Sequence, residues 1–406
     1  MGAVGLVAGY AEVLRLPHAA RVFVPALVGK LSYSMVVLAT ILAVEHATGS
    51  FAAAGVATGA FGLANVVAAP ARARFIDRAG QRVALNSLAI VFGLGTAGLA
   101  LATMLPDPAL LPIVGLGVLA GASSPPVGAA MRVLWSDLAP TPQLKARAYS
   151  LDAVFEEVLF TAGPLVVSLV VMLAGAPSGL FATAATGVIG TLVMTSGAAS
   201  RRRTAVAARA DRSKAPLRQP RFVPLLVALL GTGIVIGAIE VGVPAAADGL
   251  PTLVTGALMA MMPIGSATGG LVYGQRAWRS RAVVRLVVIS VGIALACAVA
   301  AVAPNLVALA VVLVVVGLFI APGLITGYLL ADELTHPDVQ TEASSWVNTA
   351  TNLGAASASA VAGWLVESVS VESTFVMGAG AALVTALIAA PYLLRRSRVV
   401  STSLPA

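Results

Sequence analysis

Twelve apolar stretches, most of them twenty residues or longer, follow one another along this chain. They fall at residues 22–44, 51–70, 83–104, 110–133, 149–173, 177–199, 222–247, 251–273, 282–303, 305–331, 343–366 and 372–394. A helix rises about 1.5 Å per residue, so each stretch is long enough to cross about 30 Å of hydrocarbon. None alternates apolar with polar residues, as a strand of a membrane barrel would. The composition agrees: the 406 residues are 59% hydrophobic and 10% charged, whereas soluble domains carry about 25% charged residues. An all-α integral membrane protein with twelve transmembrane helices is expected. A soluble enzyme, a disordered chain and a disulfide scaffold are excluded. Cys297 is the single cysteine, and His18, His46 and His336 stand far apart. No internal disulfide, metal centre or cofactor is therefore expected.

The net charge of +8 would suggest nucleic acid in a soluble chain, but its placement points to topology. Every one of the 25 basic residues except Lys30 lies before the first apolar stretch, after the last, or at the second–third, fourth–fifth, sixth–seventh and eighth–ninth connections. The opposite connections carry none. The positive-inside rule then places both termini and the long basic segment 201–221 in the cytoplasm, within a cell membrane of the bacterial plasma-membrane type. The acidic tenth–eleventh connection, with Asp332, Glu333 and Asp338, is the exception. Segment 201–221 reads as a solvated linker near anionic lipid. The apolar start Met1–Gly9 has no basic flank, so no cleavable leader is expected. Position 6 after Met1-Gly2 is Leu6, so no myristoylation is expected either.

The second half repeats the first. A shift of 196 residues lays Gly317 on Gly121, Pro322 on Pro126, Glu333 on Asp137, and Asn348 and Asn352 on Asp152 and Glu156. A shift of about 199 lays Phe222-Val223-Pro224 on Phe23-Val24-Pro25. Six spans displaced by six keep their orientation, so the halves are parallel and related by a pseudo-two-fold axis along the membrane normal. The expected division is 1–200 for one six-helix bundle, 201–221 for the linker and 222–406 for the other.

This layout resembles the major facilitator superfamily of secondary transporters. The connection after the second span in that family reads G-x-L-a-D-[RK]-x-G-[RK]-[RK]. Here it stands as Ala73-Arg74-Phe75-Ile76-Asp77-Arg78-Ala79-Gly80-Gln81-Arg82. The second-half copy, Gly269-Gly270-Leu271-Val272-Tyr273, keeps the glycine and leucine and lacks the acid. The resemblance implies a gate. Gly80 permits the tight turn, Asp77 can face a helix N-terminus of the other half, and Arg78 and Arg82 can pair with Asp137. The likeness extends to drug and metabolite efflux members. Two of their marks are incomplete: the fourth span carries Ser123-Ser124-Pro125-Pro126 without an arginine, and only Gly163-Pro164 remains of a longer fifth-span motif.

Charge inside the membrane marks candidate chemistry, because ionisable residues there are costly and face the bundle interior. Lys30 is the one basic residue expected within a span, roughly 12 Å deep. Glu156 and Glu157 lie roughly 11 Å deep in the fifth span, and Asp152 shares a helix face with Glu156. The sharp reading is a proton-binding cluster; a static ion pair is the plain one. Glu240 lies far along the seventh span, where Pro244 can open the helix. It is either a proton or substrate site or a carboxylate meeting headgroup water. In the eleventh span Asn348 and Asn352 point one way, as substrate contacts or as helix–helix glue. Pro125-Pro126 and Pro322-Gly323 are expected to break matched helices, a pointer to the binding region. Tyr33, Phe155, Tyr328 and Trp346 are candidate cavity aromatics. The expectation is a monomeric transporter working by alternating access. Its partners are protons, membrane lipid and a small hydrophobic or amphipathic compound moved outward by antiport, and not nucleic acid. The alternative is an uptake carrier for a polar metabolite such as a sugar. A polytopic membrane enzyme is less favoured, because no nucleophile, acid–base or metal cluster sits at an interface.

Overall fold

The computed structural model describes residues 12–197, 216–275, 278–335 and 340–394. The polypeptide there forms thirteen long helices: α1 Ala19–Thr48, α2 Phe51–Ala79, α3 Gln81–Ala102, α4 Leu110–Ser123, α5 Val127–Leu138, α6 Pro142–Ala174, α7 Ala176–Ser196, α8 Phe222–Ala246, α9 Thr252–Gln275, α10 Ala282–Ala300, α11 Leu306–Leu334, α12 Gln340–Ser368 and α13 Val371–Leu394. The fourth span is α4 and α5 together; each other span is one helix. Most of the linker, with its bases from Arg201 to Lys214, lies outside the described residues, as do His336, Asp338 and the tail bases Arg395, Arg396 and Arg398.

Among the described residues, eleven spans are long and apolar enough to cross a bilayer by those two measures. The missing one is α12, which at 29 residues has ample length. Its row of Ser, Thr and Asn residues lowers its hydropathy, a cost that a helix can bear where it faces neighbouring helices or a wet cavity rather than lipid. The twelve-helix architecture stands.

Connections are short where the sequence supplies a residue for the turn. A single residue, Gly80 (φ +79°), ends α2 and begins α3, with its N–H bonded to the Ile76 carbonyl. A side chain would strain that backbone. Ser50, Thr141 and Asn305 cap α2, α6 and α11 through side-chain oxygens, each satisfying an N–H that the helix leaves free.

The two halves pack alike. In each, the second span meets the fourth, the third meets the fourth and sixth, and the first meets the sixth. A Cβ on Gly121 of α4 would come 2.1 Å from the Phe61 carbonyl oxygen of α2, and a Cβ on Gly317 of α11 would come 2.1 Å from that of Met262 on α9. Small residues admit such backbone approaches, which drive helix association where lipid removes the hydrophobic term.

The halves join through α2 against α12 and α6 against α9. Both seams run at the ends remote from the basic connections. A Cβ on Gly55 would lie 2.5 Å from the Ser359 carbonyl oxygen, one on Gly59 2.7 Å from that of Ala356, and one on Gly256 2.2 Å from the Ser168 hydroxyl. At the start of α2, Ala52 N–H donates to Glu367 of α12 over 2.9 Å. Midway along, Glu156, Arg132, Asn348 and Asn352 remain accessible. The protein is thus closed at one end of the interface between its halves and accessible from its middle.

Candidate functional site

Lys30 is buried on α1, and its ammonium donates to the Asp152 carboxylate of α6 over 2.7 Å, with both side chains almost wholly enclosed. Glu156, one turn further along α6, lies 3.7 Å from the same ammonium and 3.9 Å from the Arg132 guanidinium of α5. Gly128, one turn before Arg132, makes room for the lysine: a Cβ there would touch Lys30 Cε at 3.4 Å. Equal depth in the first and fifth spans does bring Lys30 and these carboxylates together. Glu157 does not join them; it makes no ion pair among the described residues. Residues adjacent in a helix point about 100° apart, so Glu156 takes the cation-facing position and Glu157 does not.

Lys30 is not the only base inside a span. Arg72 lies within the second span and Arg132 within the fourth. Arg72 is buried on α2, where its guanidinium donates to the carbonyls of Gly121 and Ala122 at 3.0 and 3.1 Å and to Asn65 Oδ1 at 2.7 Å. Those carbonyls end α4, so the cation sits on the negative end of a helix. Counting apolar runs assigns Arg72 to the turn after the second span, because a buried arginine shortens the run it sits in. The signal that could have found it is Asn65, seven residues earlier on the same helix face.

The fourth span breaks at Ser124-Pro125-Pro126, as its sequence suggests. Pro126 cannot donate to the helix, and it disfavours helical geometry at Pro125. Tyr33 fills the gap: its hydroxyl donates to the Pro125 carbonyl and accepts from Val127 N–H at 2.7 Å. The phenol therefore serves the broken backbone. The matching break at Pro322-Gly323 is absent, and α11 runs unbroken through Pro322. One proline forfeits one hydrogen bond, and the carbonyl it releases, Leu318, lies against Gly269 of α9. Pro244 likewise sits inside an unbroken α8, so it does not open the helix near Glu240. That carboxyl lies toward the end of α8 remote from the basic connections, near Ser359 of α12, whose hydroxyl donates to the Ala355 carbonyl over 2.9 Å.

Across from the charges, the Tyr328 hydroxyl donates to Asn348 Oδ1 over 2.6 Å, and Asn352 is exposed one turn on. Tyr328 lies within electrostatic reach of Arg132 and Glu156, so both halves face one shared space. Trp346 points its indole N–H toward Glu342 at 3.5 Å, and Phe155 packs edge-on against Phe23 with centroids 5.5 Å apart. Of the expected gate, Arg78 at the end of α2, Arg82 at the start of α3 and Asp137 near the end of α5 are exposed, while the Asp77 side chain lies outside the described residues. Gln81, at a basic position of the motif, is buried instead and donates to the Ala130 carbonyl of α5 over 3.2 Å.

Two parallel six-helix halves around a shared polar space, closed at one end, define a secondary transporter rather than an enzyme. The sequence profile of the Major Facilitator Superfamily matches residues 26–289 and 249–406, and the chain belongs to that family. No curated protein matches the sequence. Among solved structures, a point mutant of the nucleoside transporter NupG is similar at a TM-score of 0.71, with 15% identity over 91% of this chain and 98% of that one. Another NupG structure is similar at 0.70, with 13% identity over 93% and 99%. At such identity the likeness is one of fold.

Proposed function

We propose that the chain takes up a small polar metabolite, coupled to protons, by rocking the bundles 1–200 and 222–406 about the space between them, with 201–221 as tether. The observation that supports this is the facing set Arg132, Glu156, Tyr328 and Asn348: exposed and half-buried groups of charge and hydrogen-bonding capacity on both halves. A polar solute loses its water on entry and needs such partners. The solved relatives carry nucleosides by their description, which fits a polar solute better than an apolar one. Alternating access needs only a monomer in lipid, and the positive-inside rule places both termini in the cytoplasm of a bacterial cell. The turn Asp77-Arg78-Ala79-Gly80 with Arg82 and Asp137 acts as the gate at the basic end.

A second reading, outward antiport of an amphipathic compound, draws on Phe155 and Trp346, both half-buried near the same space. Counterflow in proteoliposomes separates the two. Polar solutes such as sugars, nucleosides and hydroxy acids should exchange, and an imposed proton gradient should drive at least one of them uphill. Exchange confined to apolar amines or dyes would establish the second reading instead.

A further inference from the structure

The space between the halves is chemically lopsided, and the internal repeat shows how. The shift of 196 residues that lays Asn348 on Asp152 and Asn352 on Glu156 also lays Tyr328 on Arg132, and the shift of about 199 lays Leu229 on Lys30. The same four places hold Lys30, Arg132, Asp152 and Glu156 in one half and Leu229, Tyr328, Asn348 and Asn352 in the other. Charge belongs to the first half alone. Within that half the two carboxylates are held very differently. Asp152 is locked to Lys30 at 2.7 Å and enclosed. Glu156 hangs between two cations, 3.7 Å from Lys30 and 3.9 Å from Arg132, with 37% of its side chain exposed. Neither distance is that of a charge-assisted hydrogen bond, which is about 2.7–2.9 Å.

We propose that Lys30 and Arg132 form the receptor for an anionic group on the substrate, and that Glu156 is the built-in placeholder that a proton releases from it. The inference rests on the uptake reading above and names its substrate class: a small organic anion whose uncharged end carries hydroxyl or amide groups. When Glu156 takes a proton it loses its attraction to the two cations, and the cluster of Lys30, Arg132, Asp152 and Glu156 changes from net neutral to one positive charge. The carboxylate or phosphate of the substrate then takes the vacated position, and its polar end reaches Tyr328, Asn348 and Asn352 across the space. When the anion leaves, Glu156 gives up its proton and returns to the cations. A proton and an anion thus bind in the same step and leave in the same step, which is symport; an antiporter needs them to compete. The other ionisable groups near Glu156 include Asp152 and Glu157 on its own helix, Tyr33 on α1 and Tyr328 on α11, with Arg72 behind Tyr33. Arg132 carries the discrimination, because its exposed guanidinium can grip two oxygens in a fork.

The test uses the full chain, purified into lipid nanodiscs, with thermal stabilisation read against gluconate, hexanoate, inorganic phosphate, glucose, uridine and choline at pH 6 and pH 8. At least one of the three anions should stabilise the protein, and more strongly at pH 6. Glu156→Gln should keep the pH 6 response at pH 8. Arg132→Gln should weaken anion binding at least tenfold, and Arg132→Lys should restore part of it. Arg132 is exposed, and a monodisperse elution profile confirms that each variant is folded. The proposal is overturned if no anion binds, if glucose, uridine or choline binds in place of the anions, or if Arg132→Gln binds anions as the parent does. Proteoliposomes distinguish this from failure of the uptake reading. Anion binding without accumulation of any bound probe would remove the uptake reading and leave the anion receptor. Accumulation of uridine or glucose with no anion binding would do the reverse.

Discussion

The two halves of this protein share a frame and differ in their chemistry. Gly121 and Gly317 occupy the same place in the repeat and meet a neighbouring carbonyl at the same 2.1 Å from a would-be Cβ. Lys30 and Leu229 also occupy one place, both buried, yet one is an ammonium paired with a carboxylate and the other an aliphatic chain against Gly327. Backbone approach fixes where helices can run, so it tolerates little change. A side chain inside the bundle is free to change if its partners change with it. The first half kept a full set of partners: Asp152 and Glu156 for Lys30, the α4 carbonyls and Asn65 for Arg72, and the Pro125–Val127 break for Tyr33. The second half needs none of them, and its fourth span is a continuous helix.

The largest effect is expected at Lys30. Lys30→Ala leaves Asp152 buried and unpaired, and breaking a buried pair from one side costs about 3–5 kcal/mol. Thermal unfolding should show a large drop in melting temperature, with transport lost. The double variant Lys30→Leu with Asp152→Asn gives the first half the residues of the second at those places. It should recover most of the stability and none of the transport. A double variant that still transports would mean that the charged pair serves packing alone.

Arg72 comes next. Arg72→Gln removes hydrogen bonds from the end of α4, each charge-assisted bond being worth about 1.5–3 kcal/mol. The variant should unfold at a lower temperature, and Arg72→Lys should recover part of the loss. The counterpart in the repeat is Thr268, an exposed residue bonded only to its own helix at Ile264. Thr268→Ala should change stability by less than about 0.5 kcal/mol, as exposed substitutions usually do. An equal loss at both positions would deny the asymmetry between the two fourth spans.

Tyr33→Phe tests the same break more gently. It leaves the ring and removes the hydroxyl that bonds Pro125 and Val127. A typical net hydrogen bond contributes about 0.5–1.5 kcal/mol, so unfolding should shift by a few degrees. Transport kinetics should show a slower turnover if the break moves during transport and an unchanged one if it is static.

How much of this was legible beforehand follows from the same distinction. Span count, parallel repeat and the single-residue turn at Gly80 are local or periodic, and a sequence displays them directly. The pairing of Lys30 with α6 was legible because depth in a membrane is a coordinate that helix rise supplies. Arg72 and Gln81 were not, since both sit beside the basic turn and read as its charge or polarity, and only the tertiary path of α4 and α5 turns them inward. The expected break at Pro322 failed for a related reason. A proline marks a lost hydrogen bond, but whether the helix parts depends on the residue before it, Pro125 in one half and Ala321 in the other, and on what covers the freed carbonyl, here Gly269.

The smallest difference expected between the halves is at the matched glycines. Gly121→Ala and Gly317→Ala each force a methyl against a carbonyl oxygen, and overpacking of this kind costs about 1–3 kcal/mol. If the frame is truly repeated, the two penalties should agree within about 1 kcal/mol, although one glycine lies in the span that breaks and the other in the span that does not. Unfolding of the two variants side by side decides it. A much milder penalty at Gly121 would mean that the break after Ser123 lets α4 shift away from α2. The first half would then differ from the second in compliance as well as in charge, and the broken span would be the part of the frame free to move during transport.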